Sequence, residues 1–281
     1  YYTEARIVSG DGHTLFVRRW LPADVPILAH ALVLHGYMEH SGRYRELAHH
    51  FAHAGIASTA IDFRGHGRSD GQRGYVARFA DYLSDVDAAL HGVGEGPRFL
   101  VGHSNGALIA LDYVMSRRPT LAGLVVTNPF LGQTHPSTGL KLWVGRMAGK
   151  RLPRLSLPSG LSADGLSHEK AVVEAYRRDP WVFNTANAAW FRETSAAQTR
   201  LLATAREIDV QLLYAYSDAD PIASPTLNER LSAQLVSKDK TVVVRPGELH
   251  EILNETERAS LHQQISDWIR SRAAGAQASA P

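Results

Sequence analysis

The pentapeptide G-H-S-N-G centred on Ser104 has the spacing of a nucleophile elbow. A strand-like run at residues 99–101 precedes it, and an apolar helical pattern at 107–115 follows it. Such a turn needs small residues where the chain nearly touches itself, and Gly102 and Gly106 meet that need. The hydroxyl would then stand above the sheet, where backbone N–H groups and the helix dipole favour developing negative charge. We therefore predict that Ser104 is a nucleophile; the alternative is a glycine-rich turn with a solvent-facing serine.

A serine hydroxyl needs a base, and the chain offers fourteen histidines, so position has to decide. Functional groups of an open α/β sheet collect at the carboxyl ends of the strands. His250 follows the strand-like run 241–244 and a Pro-Gly turn, which places it at that edge. We expect His103 to be a buried, hydrogen-bonded neighbour of the serine and His35 to brace the loop after its strand. The alternative for His250 is an exposed loop histidine.

The third group should be a carboxylate that orients the base and stabilises its charged form. The run 210–216 ends in S-D-A-D-P, which offers Asp218 and Asp220. We favour Asp220, because the following proline fixes the loop and Asp218 stands where aspartates usually cap turns. The resulting order of serine, aspartate and histidine is typical of a strand–turn–helix nucleophile.

A tetrahedral intermediate also needs two N–H donors. One is expected from the backbone of Asn105, which follows the nucleophile. The other is expected from the backbone of Tyr37 in the loop after the run 31–35, with the proximity of the chain rather than the side-chain type as the deciding factor. The alternative is an ordinary strand-to-helix loop at residues 36–37.

The elements that must position these groups alternate along the chain. A hairpin (6–9 and 15–20) comes first, and strand-like runs then alternate with helical patterns. The strand-like runs are 31–35, 57–62, 99–101, 124–127, 210–216 and 241–244. The helical patterns are 43–54, 79–90, 107–115, 225–235 and 255–271. This alternation predicts an α/β fold with a mostly parallel central sheet and helices on both faces.

The alternation stops between residues 132 and 206, where no strand-like run occurs and four prolines interrupt the helical pieces. A stretch of this length is too long for a passive loop in a compact domain. We predict an inserted helical cap at 132–206, hereafter the cap segment, on a core formed by 1–131 and 207–272. Residues 273–281 are small and polar and are expected to be a disordered tail.

Composition excludes several classes of protein. The chain of 281 residues has no cysteine, which excludes a disulfide scaffold, a cysteine nucleophile and thiolate metal sites. A formal charge of +2 gives no signal of nucleic-acid binding. No apolar run approaches the roughly 18 residues that span a bilayer. We expect no cofactor or metal and a cytoplasmic location; export is the alternative, because the sequence starts with Tyr1 rather than Met.

Several longer motifs add to this reading. The chain resembles the monoacylglycerol lipase and lysophospholipase branch of the α/β-hydrolases in the elbow and in HGYMEHSGRY (35–44), DFRGHGRSDG (62–71), AYRRDP (175–180) and HEILNE (250–255). The resemblance covers residues 3–271. It implies Ser104, Asp220 and His250 as catalytic triad and Tyr37 and Asn105 as oxyanion donors. The family usually has methionine where Asn105 stands, which weakens the inference about substrate more than that about mechanism.

Residues 140–155 mix apolar and basic side chains, and no Asp or Glu occurs between residues 132 and 163. Such a surface suits transient contact with an anionic lipid surface; the alternative, which we favour, is that its apolar residues pack on the core. Candidate substrate contacts in the cap segment are Trp143, Met147, Trp190 and Phe191, although aromatic residues there more often serve packing.

The sequence thus predicts a serine ester hydrolase that acts on a small acyl ester such as a monoacylglycerol or lysophospholipid. The alternatives are a carboxylesterase or thioesterase with another small acyl substrate, and a non-catalytic binding protein with the same fold. The sequence does not fix the oligomeric state.

Overall fold

A central sheet of eight strands organises the molecule. The computed structural model describes residues 1–135, 151–204, 208–237 and 239–278. In chain order the strands of the sheet are β1 (Tyr2–Val8), β2 (Thr14–Trp20), β3 (Ala29–Leu34), β4 (Ile56–Asp62), β5 (Arg98–His103), β6 (Gly123–Thr127), β9 (Leu212–Ser217) and β10 (Lys240–Arg245). Two further strands, β7 (Ser156–Pro158) and β8 (Thr185–Asn187), lie outside it. Their spatial order is β1-β2-β4-β3-β5-β6-β9-β10.

Strand direction brings the predicted site to one edge. β2 is antiparallel to both of its neighbours, and all other pairings in this sheet are parallel. The register pairs Gly102 of β5 with Leu34 and Val126, and Ser217 of β9 with Arg245. The carboxyl ends of β3, β5, β6, β9 and β10 therefore share one edge, where an open α/β sheet carries its functional groups.

Helices cover both faces of the sheet, as predicted. They are α1 (Arg45–His53), α2 (Phe79–His91), α3 (Asn105–Arg117), α4 (Lys170–Arg178), α5 (Ala188–Thr204), α6 (Pro225–Gln234) and α7 (Arg258–Ala278). β3 shows how the two layers form: Leu32 and Leu34 join the core under α2 and α3, whereas Ala31 and Val33 join the core under α1 and α7. Successive side chains of a strand point to opposite faces, so a strand buried on both sides reads as a continuous apolar run.

The cap segment contains two short strands, so the expectation of no strand there is wrong. β7 (Ser156–Pro158) and β8 (Thr185–Asn187) form an antiparallel pair of their own. Both come after β6 and before β9 in the chain. Strands of three residues are too short to show alternation in a sequence. The segment also contributes α4 and α5. The division into a core and a separate cap domain stays a prediction.

Several element boundaries differ from those predicted. A 3₁₀ turn at Ser41–Tyr44 precedes α1, which begins at Arg45 rather than at residue 43. At the other end, α7 reaches Ala278, so residues 273–278 are helical and not a disordered tail. Burial of Ala273 in the core under α7 explains this extension. Over the described ranges, no helix has both the length and the apolar character that crossing a bilayer requires.

The elbow depends on close backbone contact, as its glycines predicted. A Cβ added at Gly106 would lie 2.2 Å from the carbonyl oxygen of Leu34 and 2.5 Å from that of His35. A Cβ at Gly102 would lie 2.7 Å from Ala107 Cα. The start of α3 is therefore pressed against the end of β3, which brings the loop after β3 next to Ser104.

Replacing Gly106 by alanine should destabilise the protein by at least about 2 kcal/mol, although alanine is the better helix former. The reason is that the clashing atoms are backbone carbonyls, which cannot rotate away. Thermal or urea unfolding measures the change. Gly10→Ala is the control, since an added Cβ there meets nothing within 4 Å. Equal stability of Gly106→Ala and the parent chain would contradict the close approach.

Candidate active site

Ser104 occupies a strained turn between β5 and α3. Its backbone has φ 53° and ψ −117°, a region that non-glycine residues rarely adopt. The Ser104 N–H donates to Thr127 O at 3.0 Å, and Phe130 N–H donates to Ser104 O at 3.0 Å. These two bonds fix the turn to the end of β6. They help the surrounding structure to offset the strain energy of this backbone conformation.

The three residues predicted as a triad lie together. His250 Nε2 is 2.9 Å from Ser104 Oγ, and His250 Nδ1 is 2.7 Å from Asp220 Oδ2. The other oxygen of Asp220 accepts the N–H groups of Ile222 at 2.7 Å and Ala223 at 3.0 Å. With the carboxylate acting as acceptor, Nδ1 carries the proton and Nε2 is free to accept the serine proton.

The electrostatics suit a base. Burial lowers the pKa of His250, but the charge and hydrogen bond of the Asp220 carboxylate, together with the charges of Glu251 and Glu39, more than offset burial and hold the pKa above the ordinary 6.5. Neighbouring His103 is different, because burial and then the charge of His250 lower the pKa of His103 to about 4. One histidine can therefore accept a proton near neutral pH while the other stays uncharged.

The remaining predicted roles of aspartate and histidine agree with the geometry. Asp218 accepts the N–H of Gly247 at 2.8 Å, which is a turn contact. His103 is buried, and its Nδ1 lies 3.1 Å from Thr127 Oγ1. His35 braces its loop, since Nδ1 lies 2.6 Å from Gly36 O and Nε2 accepts the N–H of Phe63 at 2.9 Å.

Asn128, which the sequence did not single out, ties two of the loops together. Its amide nitrogen donates to His250 O at 2.6 Å, and its amide oxygen accepts the N–H of Ser217 at 2.7 Å. It is buried and has φ 41°, so a residue tolerant of the left-handed region is needed. Its position directly after β6 is the signal that could have identified it.

The loop expected to supply the second oxyanion donor lies against the nucleophile. A Cβ at Gly36 would be 3.2 Å from Ser104 Cβ, and the Gly36 N–H donates to Glu39 Oε1 at 2.6 Å. Tyr37 and Asn105 both line the cavity that contains Ser104. The side-chain oxygen of Asn105 is buried and has no hydrogen-bond partner in the part of the chain that the structure describes, so it adds no bond to this arrangement there.

A buried ionic cluster of Glu39, Arg43 and Glu251 joins the oxyanion loop to the histidine loop. Arg43 binds Glu39 Oε2 at 2.9 Å and pairs with both oxygens of Glu251 at 2.5 and 2.7 Å. Burial alone would raise the pKa of Glu39, but the charge of Arg43 and the nearby histidines hold that pKa well below its usual range. All three residues lie in two of the quoted motifs, 35–44 and 250–255, but no local pattern in the sequence marks them as a cluster.

The site opens into a cavity of about 570 Å³. Its wall is largely apolar, with contributions from Phe130, Leu131, Trp190, Phe191 and Leu202, and the carboxylates Glu39 and Glu251 also line it. Two of the candidate substrate contacts, Trp190 and Phe191, are thus brought to the cavity. The other two, Trp143 and Met147, lie outside the described residues. Among the residues described, no three His, Cys, Asp or Glu side chains are grouped to hold a metal ion.

Comparison with known proteins identifies the family. The model of the family described as serine aminopeptidase, S33 matches residues 26–257. The chain belongs to this family. It is an α/β-hydrolase and a serine hydrolase, in the branch that contains the monoacylglycerol lipases.

Individual relatives support the same branch. Human monoglyceride lipase is 30% identical over 100% of this chain and 95% of its own length. The crystal structure of Paleococcus ferrophilus monoacylglycerol lipase superposes with a TM-score of 0.85 at 29% identity, covering 92% of this chain and 99% of that one. An uncharacterized abhydrolase domain-containing protein of Dictyostelium discoideum is 30% identical over 99% of this chain, which spans only 30% of that longer protein.

We expect kcat/KM for a short-chain ester to fall as the pH is lowered, with an apparent pKa above 6.5 for this acid limb of the profile. The base form of His250 is needed, and its raised pKa means that protonation begins at higher pH than in a free histidine. Asp220→Asn should lower turnover by about 10⁴ and shift this limb to lower pH. A pH–rate profile of each protein measures both effects.

Asp218→Asn serves as the matched control, since Asp218 contacts only the turn at Gly247 in the described hydrogen-bond network. Its profile should overlay that of the parent chain. An unchanged acid limb in Asp220→Asn would contradict the electrostatic role given to Asp220.

Proposed function

We propose that this chain hydrolyses the ester of a monoacylglycerol-like substrate through an acyl-enzyme formed on Ser104. The observation that carries the proposal is the hydrogen-bonded series from Ser104 through His250 to Asp220 at the mouth of an apolar cavity. An acyl chain fits the apolar wall, and a small alcohol fits beside the polar groups near His250. The relatives whose names state a monoacylglycerol lipase support the substrate class.

The reaction begins when Ser104 Oγ attacks the ester carbonyl while His250 Nε2 takes the hydroxyl proton. The backbone N–H groups of Tyr37 and Asn105 stabilise the negative oxygen of the tetrahedral intermediate. Collapse of the intermediate breaks the bond to the alcohol, which leaves with the proton from His250. Water then attacks the acyl-enzyme by the same route, releasing the fatty acid and restoring the serine.

A carboxylesterase or thioesterase would use the same groups with another acyl substrate. A non-catalytic binding protein is disfavoured, because the whole series of hydrogen bonds is present. Contact with a lipid surface stays a prediction; it is supported by Leu152 and Leu157 in the cap segment, which are 59% and 53% exposed. The cytoplasmic location also stays a prediction.

Ser104→Ala should lower hydrolysis of a monoacylglycerol by about 10⁴ or more, since no other group supplies the nucleophile. Release of fatty acid from purified protein measures the loss, with Ser84→Ala, at a helix position away from the cavity, as the control. A fluorophosphonate probe should label the parent chain and Ser84→Ala but not Ser104→Ala. Retained turnover in Ser104→Ala would refute the assignment, and absence of labelling in the parent chain would restore the binding-protein alternative.

Charge in the cavity favours a neutral head group over a phosphate. Over the described ranges, Glu39 and Glu251 pair with one cation, Arg43, so these three groups carry a net charge of −1. A phosphate at about 10 Å in an effective dielectric constant of about 20 would lose roughly 1.7 kcal/mol of binding free energy, or about 15-fold.

We therefore expect kcat/KM for a monoacylglycerol to exceed that for a lysophosphatidic acid of the same chain length by at least about tenfold. Both are assayed as monomers below their critical micelle concentrations. Glu251→Gln keeps the size of the side chain and removes one charge, so the ratio should shrink. An equal or reversed preference in the parent chain would rule out this electrostatic discrimination.

A further inference from the structure

The side chain of Tyr37 joins three separate parts of the molecule. Its hydroxyl donates to Gly74 O at 2.9 Å, in the loop after β4, and accepts the N–H of Asn187 at 3.1 Å, at the end of β8. Its ring stacks on Trp190 of α5 with centroids 3.6 Å apart and an angle of 12° between the planes. The edge of Phe183 packs on the same ring at 5.4 Å. Asn187, Trp190 and Phe183 all belong to the cap segment.

The backbone on either side of Tyr37 is also held. Gly36 N–H is fixed by Glu39, and Met38 O accepts the N–H of Phe183 at 3.4 Å. Met38 has φ 68°, a conformation that needs such support. His35 Nδ1 lies 2.6 Å from Gly36 O and so holds the carbonyl end of the planar peptide that carries the Tyr37 N–H, while the phenol ring and hydroxyl hold its Cα end.

The groups that contact Tyr37 are themselves held by further contacts. Asn187 accepts the N–H of Ala189 at 2.9 Å through its side-chain oxygen, which caps the start of α5. The Asn187 N–H that reaches Tyr37 is therefore oriented by the same helix that carries Trp190. Gly74 is equally constrained, because a Cβ there would lie 2.2 Å from the Tyr37 hydroxyl oxygen.

We propose that Tyr37 is a positioning residue whose side chain sets the oxyanion donor of its own backbone against the cap segment. The geometry of the oxyanion site then depends on how β8 and α5 are placed, not on the loop after β3 alone. This inference rests on the proposed function of Ser104. It differs from the sequence-based expectation that the type of side chain at position 37 would not matter.

Burial raises the pKa of the Tyr37 phenol, so the hydroxyl keeps its proton and donates to Gly74 across the working pH range. Phenylalanine at this position would keep the stacking on Trp190 but lose both hydrogen bonds. Complete loss of an oxyanion donor typically costs about 10²–10³ in turnover. A donor that is present but less well held should cost less.

The test is Tyr37→Phe assayed on p-nitrophenyl esters of two, six and ten carbons. We expect kcat to fall by about 10- to 100-fold, and by the same factor for all three chain lengths. KM should stay within about twofold of the value for the parent chain. The factor is uniform because the oxyanion forms at the carbonyl of every ester. Tyr75→Phe is the matched control, since it removes a phenol hydroxyl one residue from Gly74 and should leave the kinetics unchanged.

Two further measurements separate positioning from general loosening. A trifluoromethyl ketone, which forms an oxyanion on the serine, should lose affinity by the same factor as kcat. The acid limb of the pH profile should keep its apparent pKa, because the bond between His250 and Asp220 is untouched. Gly74→Ala, which displaces the Tyr37 hydroxyl, should show the same pattern if it folds.

Retention of kcat within twofold in Tyr37→Phe would overturn the proposal. So would a loss that grows with chain length, because that would assign the side chain to acyl binding. A shifted acid limb with a lowered unfolding midpoint would equally overturn it. Failure of the proposed function is distinguishable, since the parent chain would then resist fluorophosphonate labelling and leave p-nitrophenyl acetate intact.

Discussion

The hydrogen bond between Asp220 and His250 is the interaction on which the rest of the site depends. Burial by itself would lower the pKa of His250, and the Asp220 carboxylate makes the largest contribution to reversing that effect, with smaller contributions from Glu251 and Glu39. Two backbone N–H groups hold the second oxygen of Asp220, so its direction is fixed before any substrate arrives. Asp220 thus orients the imidazole and stabilises its protonated form, which leaves the other nitrogen available to accept the proton of Ser104.

The surrounding loops serve to keep this bond and the nucleophile in one place. Asn128 links the end of β9 to the His250 loop, and the cluster around Arg43 links that loop to the one after β3. Removing one member of a buried ionic cluster leaves an uncompensated buried charge. The folding stability lost in this way exceeds the stability that the intact cluster contributes. The cluster therefore specifies the relative position of two loops more than it adds to overall stability.

The cap segment contacts both the apolar cavity and the loop beside the nucleophile. Trp190 and Phe191 form part of the apolar wall that suits an acyl chain. Through Tyr37, the same segment reaches the loop beside the nucleophile. Under the roles proposed for the cavity and for Tyr37, the cap segment would support both binding of the acyl group and stabilisation of the transition state, and catalysis would be sensitive to how this segment is packed.

The sequence by itself determined the elements whose signals are local. Apolar runs located the strands of the central sheet, and the small residues around Ser104 located the elbow, because only glycine fits where backbone approaches backbone. The ends of the strands then identified His250, Asp220 and the loop at Tyr37, since parallel strands bring their carboxyl ends to one edge. The two strands of the cap segment escaped notice because three residues carry no periodic pattern.

Only the tertiary structure decided the contacts between segments that are far apart in the chain. Arg43 and Glu251 are separated by 208 positions, and Tyr37 and Asn187 by 150. A local pattern can show that a residue is polar or aromatic, but its partner depends on the register and packing of every element between them. For that reason the sequence predicted the groups that the structure brings together, while the residues that hold them in place are decided by the folded chain.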